Sequence, residues 1–291
     1  MLFVLLTLAL QAAAPAPPPA TEIYLASLQP ADGSVQVGSP SNISNNPGYD
    51  NQPFFLPDGS VLFTSNRDGK QTDIYQYSPA SRAMTRLTST AESEYSPTRT
   101  PAGDSVSVIR VEADGTQRLW RFPLQGGEPS LVLTNVKPVG YHAWVDAETL
   151  VLFVLGEPPT LRIADVKTGQ AQVVAERPGR CMARMSDGRF SFVQKGAAKE
   201  PWTIVALDPR TKTMTPIVET LEGREDYVWL PDGRLLMGSG SKLSLWNPAS
   251  AAAGWKEIAD FAPRLKNITR LAASADGRSL AIAAEEITLR P

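Results

Sequence analysis

A glycine turn recurs along this chain at a nearly fixed interval. Pro57-Asp58-Gly59 returns as Pro101-Ala102-Gly103, Ser186-Asp187-Gly188, Pro231-Asp232-Gly233 and Ala275-Asp276-Gly277. Successive turn glycines lie 44, 85, 45 and 44 residues apart, and the 85-residue gap holds a degenerate copy at Val145-Asp146-Ala147-Glu148. A unit of this length carries about four short strands. It cannot bury both of its faces alone, so it must stack on copies of itself.

The clearest copy runs from Tyr49 to Thr88. Gln52 to Leu56, Val61 to Ser65, Asp73 to Tyr77 and Met84 to Leu87 read as strands. They are short runs rich in Val, Ile, Phe and Tyr, punctuated by Pro-Asp-Gly and Asp-Gly turns. The second strands recur as Val106 to Ile109, Leu150 to Phe153, Phe190 to Val193, Leu235 to Met237 and Leu280 to Ala283. Such near-continuous apolar runs belong to strands buried on both faces. The third strands recur as Leu119 to Phe122, Leu161 to Ala164, Ile204 to Leu207 and Leu243 to Trp246.

The sixth copy has only Ile268 to Ala273 and Ser279 to Ala284 before the sequence ends. Its missing strands are found at the other end. Glu22-Ile23-Tyr24 resembles Asp73-Ile74-Tyr75, and Val35 to Ile43 supplies an outer strand. The reading is therefore all-β: a six-bladed β-propeller of four-stranded antiparallel blades, the last completed by N-terminal strands. Closure of this kind removes a free sheet edge. Residues 21–291 form the propeller, and residues 1–20 precede it.

Met1 to Ala14 has an apolar core from Leu2 to Leu10 and an Ala-rich end, the pattern of a secretory signal. Its apolar run is shorter than the roughly 20 residues of a spanning helix. The four prolines between Ala12 and Ala20 read as a cleavage region and lead-in. A periplasmic or secreted protein is expected, with no membrane insertion once the signal is removed. Cys181 is the sole cysteine, so no intramolecular disulfide holds the fold. A net charge of −2 gives no general attraction for nucleic acid.

The chemistry-bearing residues are few. His142 is the only histidine, which excludes a zinc site built from several histidines. There is no Gly-x-Ser-x-Gly elbow. Cys181 lies in no nucleophile signature and reads as a structural residue, and His142 as a channel or core residue. The Asp-Gly turns contain oxygen ligands compatible with calcium, but none matches a twelve-residue calcium loop. Asp and Asn there bond their own backbone, and Gly supplies positive φ. No cofactor is expected. Arg67 is expected to pair with Asp73 or a neighbouring acid.

The first full copy carries Pro53, Pro57-Asp58-Gly59, Val61 to Phe63, Ser65, Arg67, Gly69, Asp73-Ile74-Tyr75 and Arg86-Leu87-Thr88. The second keeps Ser96-Pro97 and Leu131 to Thr134. These residues resemble the TolB-like family of six-bladed propellers with WD-like repeats, over roughly Thr21 to Glu286. The resemblance implies a periplasmic or secreted binding propeller.

In a propeller the residues leading into each innermost strand line the mouth of the central channel. Here they are Asp50, Asn51 and Gln52, then Glu94, Tyr95 and Ser96, then Tyr141 and His142. Arg180 and Cys181 follow, then Arg224, Glu225, Asp226 and Tyr227, and last Thr269 and Arg270. Charges of both signs with tyrosines suit a protein or peptide partner, since Tyr and Arg are frequent interface anchors. A non-enzymatic scaffold is expected, a monomer binding its partner at this mouth, with a place in an envelope complex. The alternative is a hydrolase or lyase on a sugar or lactone, using Asp50, Glu94 and Asp226 with or without a divalent ion.

Overall fold

The computed structural model describes residues 19–287 except Asp32 and Lys199. The expected signal sequence lies outside the described residues. Six four-stranded antiparallel units follow one another. Blade 1 is Asp50–Phe55, Val61–Ser65, Asp73–Ser78 and Ala83–Arg86. Blade 2 is Ser93–Arg99, Ser105–Val111, Gln117–Pro123 and Ser130–Leu131. Blade 3 is Val139–Trp144, Thr149–Val154, Thr160–Asp165 and Ala171–Glu176. Blade 4 is Pro178–Arg184, Phe190–Gln194, Thr203–Leu207 and Met214–Glu219. Blade 5 is Tyr227–Trp229, Leu235–Ser239, Lys242–Trp246 and Lys256–Asp260.

Blade 6 joins the two ends of the chain. Leu265–Ala273 and Ser279–Glu286 are its inner strands, and Glu22–Ala31 pairs antiparallel with the latter, Ile23 opposite Ala283. The outer edge is split: Ser34–Val37 and Ser41–Asn42 both pair with Glu22–Ala31. The continuous outer strand expected over Val35 to Ile43 is broken between them, around Gly38-Ser39-Pro40. A proline cannot donate to the ladder.

Each second strand is sandwiched between neighbouring blades, which is why it reads as an unbroken apolar run. All of Val61–Ser65 is buried. Side chains on its two faces enter different cores. Val61 and Phe63 pack against Ile23, Ala281 and Ala283 of blade 6, while Leu62 packs with Val106 and Val108 of blade 2. Equivalent clusters join blades 2 and 3, 3 and 4, 4 and 5, and 5 and 6. The ring is therefore closed, and blades 3 and 6 stand opposite one another.

The recurring turns are local devices. Gly59 sits at φ +82°, and its amide donates to the Leu56 carbonyl at 3.0 Å. Asp58 accepts from the Ser60 amide at 2.9 Å. In blade 3 the degenerate copy works without glycine, because Asp146 accepts from the amides of both Glu148 and Thr149 at 2.8 Å.

Candidate functional site

Successive residues of a strand point to opposite faces. This alternation sorts the residues leading into the innermost strands into two sets. Asn51, Tyr95, Tyr141 and Arg270 pair with Thr64, Ile109, Phe153 and Ala283 of the second strands, so they share one level of the ring. Arg180 and Asp226 join this level from blades 4 and 5. The decisive contact is between opposite blades: the Arg270 guanidinium donates to the Tyr141 hydroxyl at 3.0 Å and lies 5.3 Å from its ring centroid. A side-chain bond between blades 6 and 3 spans the channel.

The half of the ring from blades 4 to 6 is ionic. Asp226 accepts from Arg180 Nη2 at 2.7 Å on one oxygen and from Arg270 Nη1 at 2.6 Å on the other. Glu225 lies 3.4 Å from Arg180 and 2.7 Å from Lys195, whose ammonium also sits 4.7 Å from the Trp202 ring centroid. Burial works against the Arg180 charge, but Asp226 outweighs it, with help from Tyr141 and Glu225, so the guanidinium is held above its ordinary pKa. Burial likewise opposes the Glu225 charge, and Lys195 and Arg180 overcome it, leaving that carboxyl below its usual range.

The half from blades 1 to 3 is aromatic. Tyr49 and Tyr95 meet edge to face with centroids 6.5 Å apart, and Tyr141 meets Phe153 the same way at 5.7 Å. Burial raises the Tyr49 pKa first, and Tyr141 and Tyr95 add to it; Arg270 and Arg180 oppose. The phenol is thus a hydroxyl donor at any physiological pH, and the four groups that influence it belong to the same ring.

The structure brings together Tyr95, Tyr141, Arg180, Glu225, Asp226 and Arg270 of the residues singled out by sequence. Asn51 is buried at the edge of this group, donating to Thr21 and Thr269 hydroxyls at 3.1 and 3.2 Å. Arg224 is half-buried beside it. The others lie between blades. Gln52 accepts from the Thr64 hydroxyl at 2.9 Å and the Ser96 amide at 2.8 Å, tying blade 1 to blade 2. His142 is buried with Nε2 2.7 Å from Ser107 Oγ, which also accepts from the Trp144 indole at 2.8 Å. Burial pushes this imidazole down to about 3, so it stays neutral. Its other nitrogen has no partner, and no carboxylate orients it as a catalytic triad requires. Tyr227 repeats the motif one pair of blades later: its hydroxyl and the Trp229 indole each donate to Ser191 Oγ at 2.7 Å. Cys181 donates to the Tyr227 carbonyl at 3.2 Å, and burial pushes its thiol up to about 12.

Asp50 and Glu94 are both fully buried. Neither carboxylate oxygen of Asp50 has a hydrogen-bond partner, and Arg67 Nη2 is 3.9 Å away. Burial pushes Asp50 up to about 6, offset only in part by Ser65 and Arg67. Glu94 accepts from Thr90 at 2.5 Å and lies 3.7 Å from Arg110 Nε, while its second oxygen is unpartnered. Burial pushes it up to about 7, offset only in part by the Thr90 hydrogen bond and Arg110. Arg67 thus faces Asp50 rather than Asp73, which is taken by Arg86 at 2.7 Å. Among the described residues, no three His, Cys, Asp or Glu side chains gather as a metal-holding group.

Two members of the site escaped the sequence reading. Lys195 lies in the connection between the second and third strands of blade 4, away from the innermost strands. Tyr49 precedes its strand by one residue, but it did leave a signal: Tyr49, Tyr95 and Tyr141 recur at intervals of 46.

No family model and no curated protein matches this chain. Solved structures do. A protein assigned as TolB from Agrobacterium tumefaciens superposes with a TM-score of 0.70 at 14% identity, over 91% of this chain and 99% of that one. TolB from Acinetobacter baumannii gives 0.58 at 15% identity over 90% of this chain, which spans 64% of that protein. An oligogalacturonate lyase in complex with manganese gives 0.57 at 13% identity, over 84% and 79%. The chain has the TolB-like six-bladed propeller fold, and an enzyme shares that architecture. Among the described residues, no helix is long and apolar enough to cross a membrane.

Proposed function

We propose that this protein is an exported, non-enzymatic propeller that binds a protein or peptide partner at the channel mouth, as a monomer and as one component of an envelope complex. One observation carries the reading: side chains from all six blades converge in the channel. Tyr49, Tyr95 and Tyr141 face Arg180, Asp226 and Arg270 there, joined across the axis by the Arg270–Tyr141 bond. Half-buried tyrosines and arginines on rigid strands are the make-up of interface anchors. The N-terminal apolar segment supports export, and the TolB-like fold supports an envelope setting. The test is recovery of a partner from the envelope fraction by Asp226→Arg and Arg224→Glu variants with unchanged circular dichroism. Loss of a partner that the wild type recovers supports the reading; undiminished recovery by both folded variants contradicts it.

The fold shared with the manganese-bound lyase motivates a second reading, a propeller lyase or hydrolase using channel carboxylates. Asp50 and Glu94 would sit near the pKa of a general acid, but both are fully buried between blades. A thermal-shift series across manganese, calcium and magnesium tests it. Marked stabilisation by one ion, lost in Asp226→Asn, would favour the enzyme over the scaffold.

A further inference from the structure

Asp226 is held as a ligand would be. One oxygen takes two bonds from Arg180, at 2.7 Å from Nη2 and 3.2 Å from Nε, and the other takes Arg270 Nη1 at 2.6 Å. The two guanidiniums come from the blades on either side of blade 5 and converge on one carboxylate. Forked guanidiniums are matched to that shape and charge. The network does not balance: Arg180, Lys195 and Arg270 are paired only with Glu225 and Asp226. That leaves one positive charge within the network, to which the adjacent Arg224 adds a second, in a chain whose net charge is −2. A second Arg270 nitrogen, Nη2, spends its bond on the Tyr141 hydroxyl. Beside these cations stand the faces and edges of Tyr49, Tyr95 and Tyr141.

Resting on the mouth-binding reading above, we infer that Arg180 and Arg270 form a carboxylate site that Asp226 fills in the free protein. The ligand is an acidic peptide with a carboxylate next to an aromatic side chain. Its carboxylate takes the place of Asp226 on the two guanidiniums, and its ring packs among the three tyrosines. Both states keep the arginines paired, so the cost of the exchange falls on the displaced Asp226 carboxylate. Self-occupancy also lowers apparent affinity by the fraction of time the site is filled from within.

The probe is N-acetyltryptophan, with N-acetyltryptophanamide as the control lacking the charge, each titrated calorimetrically into the full chain. The acid is expected to bind the wild type weakly and the amide not at all. Removing the internal competitor in Asp226→Asn tightens the acid by about tenfold or more, and Arg270→Gln abolishes it. Equal binding of acid and amide, or an Asp226→Asn variant that binds the acid no better, overturns the proposal. Should Asp226→Asn fail to fold, carbon-13 spectra of aspartate-labelled wild type decide it: one carboxyl resonance moves with the acid and stays with the amide. No carboxyl movement with either probe, or the same movement with both, overturns the proposal equally. Partner capture separates the two levels of failure. Recovery lost in Arg270→Gln while acid and amide bind alike removes the carboxylate site and leaves the mouth as an interface. Recovery retained in Arg270→Gln removes both.

Discussion

Asp226 and Glu94 both lie where the chain enters an innermost strand, in blades 5 and 2, and their circumstances are opposite. Asp226 points into the channel and is gripped by two arginines at 2.6 and 2.7 Å. Glu94 points between blades 1 and 2, is fully buried, and has Arg110 only at 3.7 Å. The phase of the strand decides the difference. One face of each innermost strand supplies the ring of side chains joined by the Arg270–Tyr141 and Arg270–Asp226 bonds. The other supplies polar groups that fasten a blade to a second-strand serine of its neighbour: His142 and Trp144 to Ser107, and Tyr227 and Trp229 to Ser191.

The largest expected effect tests the fastening layer. Ser191→Val leaves the buried Tyr227 hydroxyl and Trp229 indole without an acceptor and is expected to cost about 2–4 kcal/mol in urea unfolding. A cost under about 1 kcal/mol would mean that these donors find other partners. Glu94→Gln is expected to act in the opposite direction. A carboxyl whose folded pKa is raised stabilises the fold fully below its unfolded pKa, and that stability is lost as pH rises through the folded value. For Glu94 the window runs from about 4.5 to about 7, and for Asp50 from about 3.8 to about 6. The wild type therefore loses stability between pH 4 and 8 on account of these two groups. Glu94→Gln flattens that slope and stabilises the protein at pH 8 by on the order of 2 kcal/mol.

The same carboxylate-to-amide change at Asp226 is expected to destabilise at pH 8, by about 1–2 kcal/mol, because two guanidiniums lose their shared anion. Equal signs for Glu94→Gln and Asp226→Asn would erase the distinction between ring and interblade layer. The smallest effect sharpens it from outside. Arg189 and Asp187 also lie 2.7 Å apart, but their side chains are 40% and 47% exposed. Arg189→Gln is expected to shift stability by no more than about 0.5 kcal/mol, since solvent screens such pairs.

The six-bladed fold and its closure were legible in the sequence because the turns that set the period act locally. The Asp58 carboxylate and the Gly59 backbone define a turn with no help from elsewhere, and each second strand shows its double burial as an apolar run. The candidate site was legible only by level. The sequence places Tyr141 and His142, or Asp226 and Tyr227, side by side; which of each pair faces the channel depends on strand phase. Phase was hidden by the register shifts near the start of most innermost strands, between Asn51 and Phe54 and between Pro178 and Met182 for example. Lys195 was out of reach for another reason: its place beside Glu225 is created by the packing of blade 4 on blade 5, across 30 residues of sequence.

The claim that channel-facing residues carry the function while their strand neighbours carry the fold is tested most directly by partner recovery from the envelope fraction. Arg180→Glu would be compared with Glu94→Gln, each shown to be folded at the pH of the assay. The partner recovered by the wild type is expected to be lost with Arg180→Glu and retained with Glu94→Gln. Full recovery with Arg180→Glu, or loss with Glu94→Gln alone, would contradict the account.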